Sequence, residues 1–262
     1  DQYGVPKFLN KRDAFLFKMY QAFGHHFDFI AIPIIKKRLR MDTSQVIINE
    51  ERPQLTKHLA TRFKEKIGQN VNLLGEVVLG NEEADHRYHH YLEALESPDI
   101  NYISVKISGI YAQTHALNYE ESFPELVSRM SALYQKAIDF PYTDEDGIKR
   151  SKFINLDMEE YKDAHFTLRL FKAVLTLPQF KNYSAGIVVQ AYLPDAYDFQ
   201  TELLEFAKAR VDGGGAPIKM RLVKGCNLEM ETVISSLKGW PNPIRPSKTE
   251  VDANYLCLLE RG

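Results

Sequence analysis

An α/β barrel of the TIM type is the fold this sequence predicts, and three observations predict it. Five short strand-like runs alternate with helix-like segments. Four successive runs divide polar from apolar residues between two faces. The charged residues fall toward the C-terminal end of the runs. Strands alternating with helices imply a mostly parallel sheet covered by helices. A doubly wound sheet is buried on both faces, so its strands are apolar throughout. A face carrying charge at the C-terminal ends fits a barrel instead, where inward residues at that end line a site. A sheet with one solvated face is the alternative.

In chain order, residues 1–68 read as an N-terminal helical arm, with apolar stretches at 14–20 and 30–35. The basic run Lys36, Lys37, Arg38, Arg40 reads as a solvated helix face in preference to an anion or membrane contact. From residue 71 the texture changes. Strand-like runs fall at 71–76, 102–108, 153–158, 186–192 and 218–224. Helix-like segments at 82–95, 123–137, 163–175 and 196–210 separate them, and another closes the chain at 250–261. Side chains alternate faces along a strand. Ile103, Val105 and Ile107 oppose Ser104, Lys106 and Ser108, and Ile154 and Leu156 oppose Asn155 and Asp157. Ile187 and Val189 oppose Val188 and Gln190, and Ile218, Met220 and Leu222 oppose Lys219, Arg221 and Val223. An eight-fold barrel needs more strands than these five. Residues 69–262 are therefore read either as part of a (β/α)8 barrel, with about five βα units present, its last strands missing and two edges unpaired, or as an open sheet.

The bulk numbers narrow the function classes. The 262 residues suit one large domain, or a domain with an appendage. With 33 basic and 35 acidic residues, no strong pull toward nucleic acid or an anionic membrane is expected. No apolar run is long enough to span a bilayer. The start, Asp1-Gln2-Tyr3-Gly4, carries no secretory pattern. It also lacks an initiator Met, so the true N-terminus is expected upstream. Two distant cysteines, Cys226 and Cys257, make neither a disulfide framework nor a metal cluster, and a reducing, cytoplasmic setting is expected.

Several residues are candidates for chemistry. Lys106 and Asp157 end neighbouring strands. A buried lysine beside an aspartate can anchor a substrate carboxylate, form a Schiff base, or serve as a structural ion pair. Glu76 ends the first strand on the same parity. Arg221 and Lys224 end the fifth, before Gly225, where basic residues can hold phosphate or a flat cofactor's edge. Gln190 can bond a planar heterocycle. The triplet His86, His89 and His90 has one-turn spacing but no glutamate between His86 and His90, so a solvated helix face is the better reading, as it is for His25 and His26. Gly213-Gly214-Gly215 stands after a helix and before a strand, which suits a cap or turn.

The runs Asn72-Leu73-Leu74-Gly75-Glu76, Ile103-Ser104-Val105-Lys106-Ile107-Ser108, Leu156-Asp157-Met158-Glu159-Glu160-Tyr161, Gln190-Ala191-Tyr192 and Arg221-Leu222-Val223-Lys224-Gly225 resemble, in order, the strand motifs of the proline dehydrogenase family. So do Gly239-Trp240-Pro241 and residues 247–255. The resemblance is closest to the proline dehydrogenase domain of bifunctional proline utilization A, where an aldehyde dehydrogenase follows. It implies FAD at the C-terminal mouth of a distorted barrel and hydride transfer from C5 of L-proline to flavin N5. The product would be Δ1-pyrroline-5-carboxylate, with electrons passed to a membrane quinone. A cytoplasmic enzyme, peripheral at the inner membrane face, is the implied setting.

Carried over by position, Lys106 would meet the proline carboxylate and Asp157 would brace that lysine. Met158, Gln190, Arg221, Val223, Lys224, Gly225 and Cys226 would lie against FAD, Arg221 near its redox edge. Glu76 would be half of a gate ion pair with an arginine of the last helix; capping the following helix is the other reading. That last helix, with its Tyr-x-x-Arg-Arg motif, is absent, and Asn227 stands where many relatives have an aromatic residue. The fragment alone is therefore expected to be an incomplete catalyst. A Schiff-base aldolase using Lys106 and a non-catalytic module are the competing readings.

Overall fold

The computed structural model describes residues 11–23, 28–43, 47–48, 52–73, 78, 80–112, 114 and 116–262. They divide into two compact units, Asp1–Thr61 and Arg62–Gly262. The first holds helices α1 (Lys11–Phe23) and α2 (Asp28–Thr43) and most of α3 (Arg52–Lys64). The basic run of α2 is exposed, and Arg38 meets Asp42 one turn on at 3.0 Å. Such a solvated pair contributes little. His25 and His26 lie outside the described residues.

The second unit runs β1 (Val71–Asn72), α4 (Asn81–Glu96), β2 (Tyr102–Val105), α5 (Tyr119–Asp139), β3 (Tyr142–Thr143), β4 (Lys149–Arg150), β5 (Phe153–Leu156), α6 (Ala164–Thr176), β6 (Gly186–Gln190), α7 (Ala196–Asp212), β7 (Lys219–Val223), α8 (Leu228–Lys238) and α9 (Lys248–Arg261). Strands β1, β2, β5, β6 and β7 form one sheet in that order. Every neighbour pair is parallel. β3 and β4 form a separate antiparallel hairpin. The architecture is an α/β fold on a five-stranded parallel sheet. Among the described residues the sheet is open, with β1 and β7 at its edges. No helix among them is long and apolar enough to cross a membrane.

The register explains the alternation. Asn72, Ser104, Asn155, Gly186 and Lys219 line up across the five strands. Val105, Leu156, Ile187 and Met220 form a row of opposite parity, and its first three members are fully buried. α5 contributes Leu126, Met130, Leu133, Tyr134 and Ala137 to the core, a helical stripe, and α6 contributes Phe166, Leu170, Phe171 and Val174. Each such large side chain stabilises the fold by roughly 1.5–3 kcal/mol. At the N-terminal end of the polar face, Lys219 lies over the rings of Tyr102 and Phe153, at 5.5 and 5.7 Å.

The strands are shorter than the runs expected from the sequence, and two further elements are present. The second run stops as a strand at Val105, and Ile107–Gly109 forms a 3-10 turn. The short hairpin of β3 and β4 and the helix α8 were not anticipated. The glycine triplet does serve as a turn, with Gly214 at φ +74°. Arg210, in the last turn of α7, binds that turn to its surroundings. Its guanidinium donates to the carbonyls of Leu175, Phe180, Lys181, Tyr183 and Ala216, at 2.5–2.9 Å.

Lys152, just before β5, is 2% exposed. Its ammonium donates to the Ser97 carbonyl at 2.5 Å. Desolvation pulls its pKa down to about 8, with the Asp99 charge opposing. An unfolded lysine titrates near roughly 10.4. Between those values the unfolded chain binds more protons, so this contribution to stability grows as pH rises and is lost as pH falls through about 8. Lys152→Met is expected to flatten the stability profile across that window. Denaturant midpoints at several pH values test this, and equal slopes in both proteins would refute a depressed Lys152.

Candidate active site

The site is built at the C-terminal ends of β2, β5, β6 and β7, where parallel α/β sheets place their chemistry. Asp157 directly follows β5, and its amide donates to the Val105 carbonyl at 2.8 Å. Its residue is 7% exposed. Its Oδ1 accepts from Asn155 Nδ2 at 2.7 Å, Arg221 Nη2 at 3.0 Å and Ser104 Oγ at 3.2 Å. Burial pushes this carboxyl above the usual aspartate range, while Arg221, Ser104, Asn155 and Lys106 pull it back. Arg221 also reaches Ser104 Oγ through Nη1, at 3.5 Å.

The ion pairs differ from those expected. Asp157 pairs with Arg221, not with Lys106. Lys106 follows β2, about two-fifths exposed, with its Nζ 3.6 Å from Glu159 Oε1. Glu159 Oε2 accepts from the Ser108 amide at 3.3 Å, so this carboxylate fastens the turn after β2 to the loop after β5. Sequence reasoning gave Glu159 no role. It stands past the end of its strand, where alternation no longer reports direction.

Gln190 ends β6. Its Nε2 donates to the Met158 and Glu159 carbonyls, at 3.3 Å each. Among the described residues its buried Oε1 has no hydrogen-bond partner, and neither has Arg221 Nε. Met158 is buried. The Val223 and Lys224 carbonyls accept from the Ala191 and Tyr192 amides at 2.8 Å, extending the pairing of β6 and β7 past the strand ends. Lys224 points its ammonium to Asp252 of α9, at 2.5 Å. Lys224 and Lys248 together hold the Asp252 carboxyl below the usual range. Gly225 sits at φ +122°, and a Cβ there would lie 2.3 Å from the Tyr192 ring. Cys226 is exposed. Ser247 caps α9 by accepting from the Glu250 amide, and its hydroxyl donates to Glu250 Oε1 at 3.2 Å.

The structure thus gathers Lys106, Asp157, Met158, Gln190 and Arg221 along one edge of the sheet and carries Val223, Lys224 and Gly225 beside them. Glu76 lies outside the described residues. His86 and His90 adjoin on α4 with ring centres 4.3 Å apart and planes tilted by 48°, and no metal-binding group of three or more side chains occurs among the described residues. The buried pair of an unpartnered acceptor, Gln190 Oε1, and an unpartnered donor, Arg221 Nε, suits a flat heterocycle with acceptors and donors on its rim.

Comparison with known proteins gives a consistent picture. The family model described as proline dehydrogenase matches residues 55–261. No curated protein matches the chain significantly. Among solved structures, proline utilization A from Corynebacterium freiburgense is similar over 98% of this chain, with 37% identity and a TM-score of 0.78. Proline utilization A from Bdellovibrio bacteriovorus, inactivated by N-propargylglycine, is similar over 87%, with 30% identity and a TM-score of 0.75. A Bradyrhizobium japonicum proline utilization A variant shares the fold over 73% of the chain at 23% identity, TM-score 0.60. This chain spans 25% of each of the first two proteins and 20% of the third.

Proposed function

Because the chain belongs to the proline dehydrogenase family, we propose that it is the greater part of a flavin-binding site that oxidises L-proline to Δ1-pyrroline-5-carboxylate. The single observation that carries this reading is the pair of buried Asp157 with half-buried Arg221, beside the unpartnered Gln190 Oε1 and Arg221 Nε. Those two atoms fit the rim of an isoalloxazine, so the residues present suit FAD. Bound FAD would supply the hydride acceptor. Gln190 and Arg221 would fix the ring, with Met158, Val223, Lys224, Gly225 and Cys226 around it. The protein's own contribution is then to place proline against the ring, a positioning effect.

Lys106 is the residue for the substrate carboxylate. Its tie to Glu159 is long and partly solvated, so an incoming carboxylate can replace it. Glu76 is proposed as a closing residue over the bound substrate. In the parent protein the five strands would belong to a distorted barrel, residues 69–262, preceded by a helical arm at 1–68. An aldehyde dehydrogenase would follow, electrons would leave to a quinone, and the enzyme would be cytoplasmic and peripheral to the membrane.

The test is optical. The parent protein containing this chain should be yellow, and L-proline should bleach its flavin band without oxygen. A colourless protein, or a band indifferent to proline, overturns the reading. Lys106→Ala should keep the flavin and lower kcat/KM for proline about ten- to a hundredfold, mostly through KM, as for loss of a charge-assisted hydrogen bond. An unchanged KM would remove Lys106 from the carboxylate site.

A further inference from the structure

The polar groups behind Asp157 are absorbed by no role given so far. Ser104 is fully buried on β2, and Asn155 is fully buried on β5 beside it. Both bond the same carboxylate oxygen that Arg221 takes, Asp157 Oδ1. Asn70 Nδ2 donates to Ser104 Oγ at 2.8 Å, and Arg221 Nη1 approaches the same oxygen at 3.5 Å. With donors on its lone pairs, the hydroxyl can turn its one hydrogen only toward Asp157. Room for Asn155 comes from the next strand. Gly186 is its register partner, and a Cβ there would lie 2.6 Å from Asn155 Oδ1. Four strands and the residue before β1 thus cooperate to fill one oxygen of one aspartate.

We propose that Ser104 and Asn155 are positioning residues for the reaction: they saturate Asp157 Oδ1, keep the buried carboxylate charged, and so hold the Arg221 guanidinium in one orientation at the site. This rests on the reading of the site as a proline dehydrogenase. The physical need is plain. A carboxylate removed from water tends to take a proton, as burial urges here. A protonated Asp157 would no longer anchor the guanidinium by charge, and Arg221 would lose its fixed orientation. Donors to the charged form resist this. The other groups bearing on Asp157 are Arg221 on β7, Lys106 after β2, Tyr102 on β2 and Tyr91 on α4. Lys106 carries Glu159 as its own counter-charge.

The experiment compares Ser104→Ala, Ser104→Thr and Asn155→Ala in the flavin-loaded parent protein. Loss of one donor to a charged group should move the acid limb of the kcat/KM profile up by about one to two pH units, and Ser104→Thr should restore it. Melting temperature supplies a second readout that needs no turnover. Ser104→Ala should cost more at pH 8 than at pH 5, because the hydroxyl favours only the ionised carboxylate. That difference should vanish in an Asp157→Asn background. A merely structural serine would lower the melting temperature equally at both pH values and leave the acid limb in place, which overturns the proposal. Should Ser104→Ala fail to fold, Asn155→Ala decides by the same two readouts. Failure of the underlying reading looks different: the unaltered parent would not be reduced by proline.

Discussion

Gly225→Ala is expected to destabilise the protein by about 2–6 kcal/mol, and two separate causes contribute. The backbone at φ +122° is closed to side chains, which costs of order 1–3 kcal/mol. The new methyl would also stand 2.3 Å from a ring carbon of Tyr192. That ring is 1% exposed, so it has little room to retreat, and overpacking costs typically about 1–3 kcal/mol. The two parts separate experimentally. Gly225→Ala combined with Tyr192→Leu should relieve the clash but not the backbone strain, leaving a protein about 1–3 kcal/mol less stable than Tyr192→Leu alone. Denaturant midpoints measure both, and a single variant of normal stability would refute the account. Because Gly225 follows the basic end of β7, flavin content should fall with stability.

Arg221→Met is expected to have the largest effect on activity, with kcat/KM for proline falling about a hundred- to a thousandfold, as when one fixed charge-stabilising donor is removed. Flavin retention should fall too. Stability should drop by about 2 kcal/mol, less than the ~3–5 of a broken buried pair, because more than a third of the Arg221 side chain is open to water. The loss arises mainly from the charge left on Asp157. Adding Asp157→Asn should therefore return most of the stability while leaving activity low. If the double variant is as unstable as the sum of the two single ones, the residues are not coupled and the pair has been misjudged.

The strands and their faces were legible in the sequence because period-two alternation is read directly from residues such as Ile103, Ser104 and Val105. That alternation brought Asp157, Gln190 and Arg221 to one side before any coordinates. Partner choice was not legible. Lys106 and Arg221 are both cations near Asp157, and only geometry shows that Arg221 takes the carboxylate while Lys106 turns to Glu159. α8 escaped because its Thr232, Val233, Ile234, Ser235 and Ser236 are indifferent helix formers. It also buries Glu231 and Ser235 in place of an apolar stripe. The β3–β4 hairpin did carry a signal, Asp146-Gly147. Asp144 Oδ1 caps that turn by accepting from the Asp146 and Ile148 amides, and Gly147 takes φ +77°.

The hold that Arg210 keeps on five carbonyls has a consequence for how the molecule breathes. Those carbonyls lie between Leu175 and Tyr183 and at Ala216, so one side chain on α7 closes the approaches to both β6 and β7. Each of these segments must break a bond to the same guanidinium in order to open. They form one cooperative unit, and their slowly exchanging amides should share one opening free energy. In native-state hydrogen exchange, Tyr183, Gly215 and Ala216, whose amides are all bonded, should respond to denaturant together. With Arg210→Lys, a point charge in place of a fork, they should separate, the turn at residues 213–216 opening first; amides that already exchange independently in the unaltered protein would show that Arg210 joins nothing.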